Sequence, residues 1–556
     1  MPTGGSFLIE ESTRGFTPED FTDEHRAIAR SANEFWKGEV EPHLEEIRKG
    51  NHDAAVSVLR KSAELGLTAI TVPEQYGGME LDLISAMIVA EAVARDGSYA
   101  AWHGAHAGIG TLPILLFGTE TQKTKYLPKL ATAELVGAYC LSEAHAGSDA
   151  LAARTKATLS PEGTHYILNG QKNWITNGGK AGLFTVFAKV DGEKFTAFII
   201  ERGYPGVSTG AEEHKMGIKG SSTCAVFLDN VPVPVENVLG EIGRGHIIAF
   251  NILNLGRLKL GPFAVGAAKD VLAISLKYAK DRKAFGHSIA DFGMIQHKLA
   301  EMAIRIYAAE SVSYRVAGLI ESSGKPTLAA CEEFAAECSI VKVYGSEMLD
   351  YVVDEGVQIH GGYGYHADYA VERAYRDSRI NRIFEGTNEI NRMLITGMLL
   401  KRAQRGQLSL AKAAKAVMDE IVGQTPPSAR DPQVPLVRQA KKIALLLLGL
   451  AYQKFLAEIE KQQELIASIA DVIMEIFAME SVELRGNADY RDVYLRDAMA
   501  RIETISRTAL AACSEGDALR TNMAVLRRFA KYEPVDSIAI RRRIAGRLLE
   551  AGRYLA

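Results

Sequence analysis

Residues 183–201 read LFTVFAKVDGEKFTAFIIE. Two runs dense in Phe, Val, Ile and Thr flank Asp191-Gly192, a pair suited to a tight turn, so the stretch predicts a β-hairpin. The hairpin decides the fold because most of the chain around it predicts helix. Residues 17–130 open on a Thr-Pro-Glu start signal and keep helical periodicity, with breaks at TVPEQYGGMELD. Near residue 140 the character changes. THYILNGQKNWITNG and CAVFLDNVPVP join the hairpin in a β-rich block that runs to about 245. Helical patterns return in AAKDVLAISLKYAKDRKAFG, in QHKLAEMAIRIYAAESVSYRVAGLIE and in the run after Lys325-Pro326. GQTPPSARDPQVP, residues 423–435, reads as a Pro-rich linker, with helical patterns beyond it to 556. The order is helical block, β block, helical block, extra helical block.

Composition narrows the function classes. A chain of 556 residues is too long for one core. A net charge of −4 gives no electrostatic reason to expect nucleic acid. Cys140, Cys224, Cys331, Cys338 and Cys513 are scattered without CxxC spacing, so neither a disulfide framework nor a zinc site is expected. His103 and His106 in WHGAHAG lack nearby carboxylates or thiolates, so no metal is expected there either. The N-terminal stretch shows no basic region followed by an apolar one. A cytoplasmic, prokaryotic protein is the expectation, membrane-associated at most, or one of the mitochondrial matrix for a trimmed eukaryotic chain. The longest apolar run, IALLLLGLA, is far short of the roughly 20 residues that span a bilayer.

Several short stretches could carry chemistry, and each has a plainer reading. In NRIFEGTNEINR, residues 381–392, the apolar spacing after Gly386 predicts a helix that Thr387 or Asn388 caps. Glu389 suits the first turn. Glu385 is then either a solvated loop acid or a base. In AYCLSEAHAGSDALA, residues 138–152, Ser142, Gly147 and Ser148 can meet a ligand or simply close the β block. Trp174 and Thr176 in NWITNGG can face a planar cofactor or complete a strand end. Arg282 in DRKAFG can neutralise a pyrophosphate or finish a helix. Gly361, Gly362 and Gly364 in QIHGGYGYHADY do not follow a strand, so they are no dinucleotide fingerprint.

Taken together and in this order, these motifs closely resemble the acyl-CoA dehydrogenase family. CLSEAHAGSDALA and QIHGGYGYHADYAVERAYRD fit its two signatures, with NWITNGG, DRKAFG and FEGTNEI in the expected places. The resemblance covers roughly residues 17–400, and the linker and extra helices extend it towards the very-long-chain branch. It implies a mainly α fold with a central β domain: a helical N-terminal domain (1–137), a β-barrel-like middle domain (138–245) and a helical bundle (246–403). A linker with an amphipathic helix (404–436) and an extra helical domain (437–556) follow.

Carried over motif by motif, the resemblance implies FAD as cofactor. Tyr139, Cys140, Leu141, Ser142, Gly147 and Ser148 should line the flavin ring and the thioester, and Trp174, Ile175 and Thr176 should contact the ring. Arg282, Phe285, Gln358, Ile359, His360, Gly361 and Gly362 should hold the adenosine and pyrophosphate end. Thr387, Asn388 and Glu389 should meet the phosphates. Glu385 falls on the catalytic base, with Gly386 beside the substrate. Asn254 and Arg257 in FNILNLGRLKLG match positions on the CoA side of a fatty acyl-CoA, and Gly256 replaces a bulkier residue of other branches, which suggests a roomy acyl channel. Gly293 stands where many relatives have a glutamine that contacts FAD, and Ala144-His145 replaces a Pro-containing pair.

The implied reaction is α,β-dehydrogenation of long or very-long chains to trans-2-enoyl-CoA, the first step of fatty acid β-oxidation. Electrons would pass to an electron-transfer flavoprotein. A homodimer is expected. Peripheral membrane contact is considered through LSLAKAAKAVMDEIVG and through the basic segment from Arg520 onward, with nine Lys or Arg against three Asp or Glu. An acyl-CoA oxidase using dioxygen and a non-catalytic scaffold on the same fold are the alternatives.

Overall fold

A computed structural model describes residues 2–422 and 435–556, so nearly all of the Pro-rich linker read from the sequence lies outside the described residues. The chain divides into two compact units. One comprises Phe21–Ala267 with Ala367–Gly386; the other comprises the segment up to Asp20 with Ala268–His366 and Thr387–Ala556. This division cuts across the domain limits read from the sequence.

The first unit holds the β block. Its strands are β1 (Gly137–Cys140), β2 (Lys156–Leu159), β3 (His165–Thr176), β4 (Leu183–Val190), β5 (Lys194–Glu201), β6 (Val207–Thr209), β7 (Thr223–Pro234) and β8 (Val238–Leu239). They form one sheet in the order β6-β7-β3-β2-β4-β5-β8, with β1 alongside β4 in parallel. The predicted hairpin is β4–β5, in register from Leu183 opposite Glu201 to Val190 opposite Lys194. Asp191 and Gly192 both have positive φ, 54° and 77°, and the Glu193 N–H donates to the Val190 carbonyl at 3.2 Å. Only such a turn matches the twist of the paired strands.

Both faces of the hairpin are buried, which explains why it reads as a continuous apolar run rather than an alternating one. Phe184, Val186, Ala188 and Val190 join Leu168, Phe198 and Val226 in the sheet core. On the other face Phe187 stacks on Phe195 at 5.4 Å and meets the Tyr139 ring at 5.2 Å. Helices of the same unit are tied to this sheet by polar contacts. The Trp102 indole N–H donates to the Gly220 carbonyl at 3.0 Å, and the Asn177 amide donates to the Trp102 carbonyl at 3.1 Å.

The second unit is helical. Gly293–Glu321, Ala335–His360 and Asn388–Gln404 share it with Leu436–Phe455, Gln463–Arg485, Ala488–Cys513 and Ser537–Ala551. The extra helical block is therefore part of one core with the bundle. Buried charge shows why. Glu480, 3% exposed, accepts from Arg315 on one side and Lys441 on the other. A buried carboxylate is tolerated only with such partners. The N-terminal segment is bound into the same unit: Gly4 N–H donates to Glu333 at 2.9 Å, Gly5 N–H to Glu337 at 2.7 Å, and Arg485 pairs with Glu19 at 2.8 Å.

Helix Leu410–Val422 is present as the sequence suggests, and it buries Leu410, Ala414 and Val417. Several basic side chains near the C-terminus pair within the unit, Arg541 with Glu301 at 2.6 Å and Arg543 and Arg547 with Asp489 at 2.6 and 2.9 Å. Among the described residues no helix is long and apolar enough to cross a membrane.

Glu337 offers a test of this packing. Burial pushes its carboxyl up to about 7, against the opposing hydrogen bond from Gly5, and its second oxygen has no partner among the described residues. A raised carboxyl keeps its proton in the folded state, so the fold loses stability as pH climbs from the ordinary carboxylate value towards about 7. Glu337→Gln should raise the melting temperature at pH 8 and change it little at pH 5. An equal shift at both pH values in thermal denaturation would contradict this.

Candidate active site

The stretch around Glu385 is a strained loop. Glu385 has φ 58° and Gly386 φ 82°, so two consecutive residues lie in the left-handed region. For glycine this is ordinary; for glutamate it costs on the order of 1–3 kcal/mol and must be held by its surroundings. Arg257 does the holding. Its Nε–H donates to the Glu385 carbonyl at 3.0 Å and its Nη1–H to Asn254 Oδ1 at 3.0 Å. Both side chains are buried, at 4% and 5% exposure.

The Glu385 carboxylate lies directly on Gly256 of helix Gly245–Asp281. A Cβ at Gly256 would stand 2.9 Å from the carboxylate carbon and from Oε2. Glu385 is half-buried, and Oε2 is screened from solvent. The solvated-loop reading is thereby excluded. In FNILNLGRLKLG the Glu385 carboxylate lies over the space left by Gly256, and Asn254 and Arg257, assigned to the CoA side, are buried and engaged with the Glu385 loop. Tyr139 stands nearby: burial, and then the Glu385 charge, push its hydroxyl well above the usual range, so it stays neutral.

The other residues assigned to the sheet unit divide by exposure. Cys140 and Ile175 point into the sheet core and Leu141 is buried, so only their backbones can meet a ligand. Ser142 and Thr176 are half-buried; Gly147 and Ser148 are exposed. Trp174 sits on a bulge where the β3–β7 register shifts between Lys172 and Ile175. It has φ 63° and is 62% exposed, which rules out the core-Trp reading. The bulge turns the indole outward.

In the helical unit, Arg282 is exposed with its guanidinium 5.4 Å from the Tyr363 ring. Phe285, φ 52° and 92% exposed, tips a two-residue hairpin between Lys283–Ala284 and His287–Ser288. Gln358, Gly361 and Gly362 are exposed, and a Cβ at either glycine would meet nothing within 4 Å. Ile359 and His360 are buried, His360 stacked on Tyr278 at 4.0 Å. Thr387 caps helix Asn388–Gln404 by accepting from Ile390 N–H, and Glu389 is exposed in its first turn. The Asn388 side chain is engaged inside the protein, accepting from Lys342 at 2.6 Å and donating to Ser346 and Glu347 at 3.0 Å each. Only its backbone could meet a phosphate. Arg542 lies 3.3 Å from where a Cβ on Gly293 would be.

Sequence reasoning passed over one pair beside the first signature. Lys172, fully buried on β3, donates to Glu143 at 2.7 Å and to the Leu141 carbonyl at 3.2 Å. Glu143 also accepts from Thr155 Oγ1 at 2.6 Å. Burial would raise the Glu143 carboxyl, but the Lys172 cation and the hydrogen bonds hold it at about 2. A lysine in a β-rich stretch gives no sign that it points inward.

Comparison with known proteins settles the family. Residues 22–134, 138–231 and 243–400 match the N-terminal, middle and C-terminal domains of acyl-CoA dehydrogenases, and 439–528 match a further C-terminal acyl-CoA dehydrogenase domain. A Bacillus subtilis protein named as a probable acyl-CoA dehydrogenase is 47% identical over 99% of this chain and 98% of its own length. The chain belongs to the acyl-CoA dehydrogenase family. It is an oxidoreductase of that kind. The human very long-chain specific acyl-CoA dehydrogenase is 42% identical over 65% of this chain, which spans 57% of that protein's length. A crystal structure of an acyl-CoA dehydrogenase from Bacillus anthracis complexed with FAD superposes with TM-score 0.96 at 49% identity, covering 100% of both chains. Butyryl-CoA dehydrogenase from Megasphaera elsdenii gives 0.64 at 36% identity, covering 68% of this chain and 99% of its own.

Gly256→Ala tests the seat of the carboxylate. The added methyl must displace Glu385, and a shift near 1 Å at a reacting group costs about a hundredfold in rate. The expected result is a fall in kcat of that order with the melting temperature little changed. A variant with unaltered kcat would show that the carboxylate does not work from this position.

Proposed function

We propose that this acyl-CoA dehydrogenase acts on long- or very-long-chain acyl-CoA, with Glu385 as the base, and passes electrons to an electron-transfer flavoprotein. FAD is the cofactor, and when bound it supplies the acceptor for the hydrogen that leaves the β-carbon. The remaining tasks belong to the chain. Glu385 takes the α-proton. Arg257 and Asn254 hold the loop so that the carboxylate stays over Gly256. Gly386, at φ 82°, and Ser148 are assigned to the thioester, where an N–H or O–H donor would stabilise charge developing on the carbonyl.

The residues fit a flavin. An indole 62% exposed on a strained bulge suits a flat aromatic ligand, and Trp174, Ile175 and Thr176 are assigned to it with Tyr139, Cys140, Leu141, Ser142 and Gly147. The open backbone at Gly361 and Gly362, with exposed Arg282, Phe285 and Gln358, suits a phosphate-bearing, aromatic-ended cofactor. The capped N-terminus at Thr387 and Asn388 suits an anion.

The chain-length reading is supported by similarity to very long-chain specific enzymes and by the further C-terminal domain match. A homodimer is part of the reading, supported by the large exposed side chains Phe285, Met294 and Tyr365 of the helical unit. A cytoplasmic location in a prokaryote is part of the reading; the pairing of Arg541, Arg543 and Arg547 within the protein leaves less of the C-terminal positive charge for an anionic membrane surface.

The single observation that carries the reading is the Glu385 carboxylate seated on Gly256. Anaerobic titration of the flavin-loaded protein with acyl-CoAs of graded length tests it. Palmitoyl-CoA or longer chains should bleach the flavin, and Glu385→Gln should keep the flavin while losing bleaching by about a thousandfold or more. Wild-type bleaching by Glu385→Gln would remove the base assignment. Response to butyryl-CoA alone would remove the chain-length claim, and peroxide release without an added acceptor would point to an oxidase.

A further inference from the structure

Helix Ser537–Ala551 of the extra block carries four arginines, and three of them are matched. Arg541 pairs with Glu301 at 2.6 Å and with Asp497, and Arg543 and Arg547 pair with Asp489 at 2.6 and 2.9 Å. Arg542 is exposed, and among the described residues no carboxylate pairs with it. Its guanidinium nevertheless has a definite place. A Cβ on Gly293 would stand 3.3 Å from Nη2, 3.9 Å from Nε and 4.0 Å from Cζ, so the group lies against the space that a side chain at 293 would enter. Two contacts hold its helix there. Arg541 grips Glu301 on helix Gly293–Glu321, and Lys280 Nζ donates to the Leu549 carbonyl at 3.2 Å.

Gly293 is tied to Arg282 and Phe285, two of the residues assigned to the adenosine and pyrophosphate end of FAD. The Ile289 N–H donates to the Arg282 carbonyl at 2.9 Å, and the Phe292 N–H donates to the Ile289 carbonyl at 3.2 Å. The Phe292 ring meets the Phe285 ring edge-on at 6.0 Å, and Gly293 follows directly. Arg282, Phe285, Gly293 and Arg542 are all exposed, so a ligand can reach each of them. Gly293 also opens a helix of 29 residues whose N-cap, Phe292, supplies no side-chain hydrogen bond. A cation at this end is disfavoured by the helix dipole, and an anion held between the two turns that repulsion into two attractions.

We propose that Arg542 binds the pyrophosphate of FAD, taking over from the extra helices the contact that a glutamine at position 293 makes in many relatives. The proposal rests on FAD being seated at Arg282 and Phe285. Glycine and arginine act as a pair: the glycine leaves the space and the guanidinium lies against it. The planar fork of N–H donors suits two phosphate oxygens at once, which a lone amide cannot match. An arginine serving only to fill the space has no need of an unmatched charge, and its three neighbours on the helix have theirs matched. The exchange of an amide for a cation makes cofactor retention sensitive to salt. It also makes retention depend on the last long helix of the chain.

FAD affinity of the deflavinated full-length protein, measured by calorimetry, tests this without reference to turnover. Arg542→Ala should weaken FAD binding by about tenfold or more, and the deficit should narrow as salt is raised. Arg543→Ala, whose partner is Asp489, should leave the affinity unchanged. Adding Gly293→Gln to Arg542→Ala should recover much of the loss, which a merely structural role for Arg542 does not predict. FAD affinity unchanged in Arg542→Ala, even with a lowered melting temperature, overturns the proposal. So does an equal loss in Arg543→Ala, or no recovery with the glutamine. Arg282→Ala tests the seat separately: FAD affinity unaffected by that substitution would remove the seat on which the proposal rests, and a wild-type protein that takes up no FAD would remove the cofactor assignment.

Discussion

A glutamate in the left-handed region, resting on a glycine, sets the terms for the rest of the site. Glu385 cannot hold φ 58° unaided. It needs its carbonyl fastened, which Arg257 does, and a vacancy for its carboxylate, which Gly256 provides. Arg257 must in turn be buried and oriented, which Asn254 does from one helical turn away. Three residues in a run of four on one helix thus define where a carboxylate 128 residues later can stand. The strain is confined to the residue that reacts, and glycine follows it so that the chain can leave the loop without further cost.

Helix Asn388–Gln404, next in the chain after this loop, is anchored through both Asn388 and Arg392. Asn388 is engaged by Lys342, Ser346 and Glu347, and Arg392 one turn on pairs with Glu347 at 2.7 Å and with Asp471 at 2.7 Å. Asp471 belongs to helix Gln463–Arg485 of the extra block. The start of the helix after the base is therefore held partly by residues that a shorter chain of this fold would not possess. Lys342, Ser346 and Asn388 are buried while Glu347, Arg392 and Asp471 keep part of their surface in solvent, so losing the Asn388 end leaves a buried cation unmatched and losing the Arg392 end costs less.

How much was legible in the sequence depended on the range of the interaction. The β4–β5 hairpin was readable because Asp191-Gly192 carries its own turn geometry. The cap at Thr387 and the helix after it were readable for the same local reason. Glu385 alone was ambiguous, and the surrounding family motifs decided it. What escaped was long-range. Nothing in GRLKLG announces that Gly256 seats a carboxylate, that Arg257 turns inward, or that Lys172 is a buried cation matched to Glu143. Positive φ at Trp174 and Phe285 was equally silent, since neither residue type favours it. That the extra helices share one compact unit with the bundle was silent too, because the contacts that join them pair residues far apart in the chain.

The N-terminal segment has a consequence for how the chain is made. Gly4, Gly5, Ser12 and Glu19 find their partners at Glu333, Glu337, Glu480 and Arg485. On the ribosome these first residues emerge hundreds of positions ahead of the groups that receive them. The sheet-bearing unit, apart from the short Ala367–Gly386 return, is continuous in the chain and can collapse during synthesis. The leading segment must wait, extended or transiently guarded, until the late helices arrive to close over it.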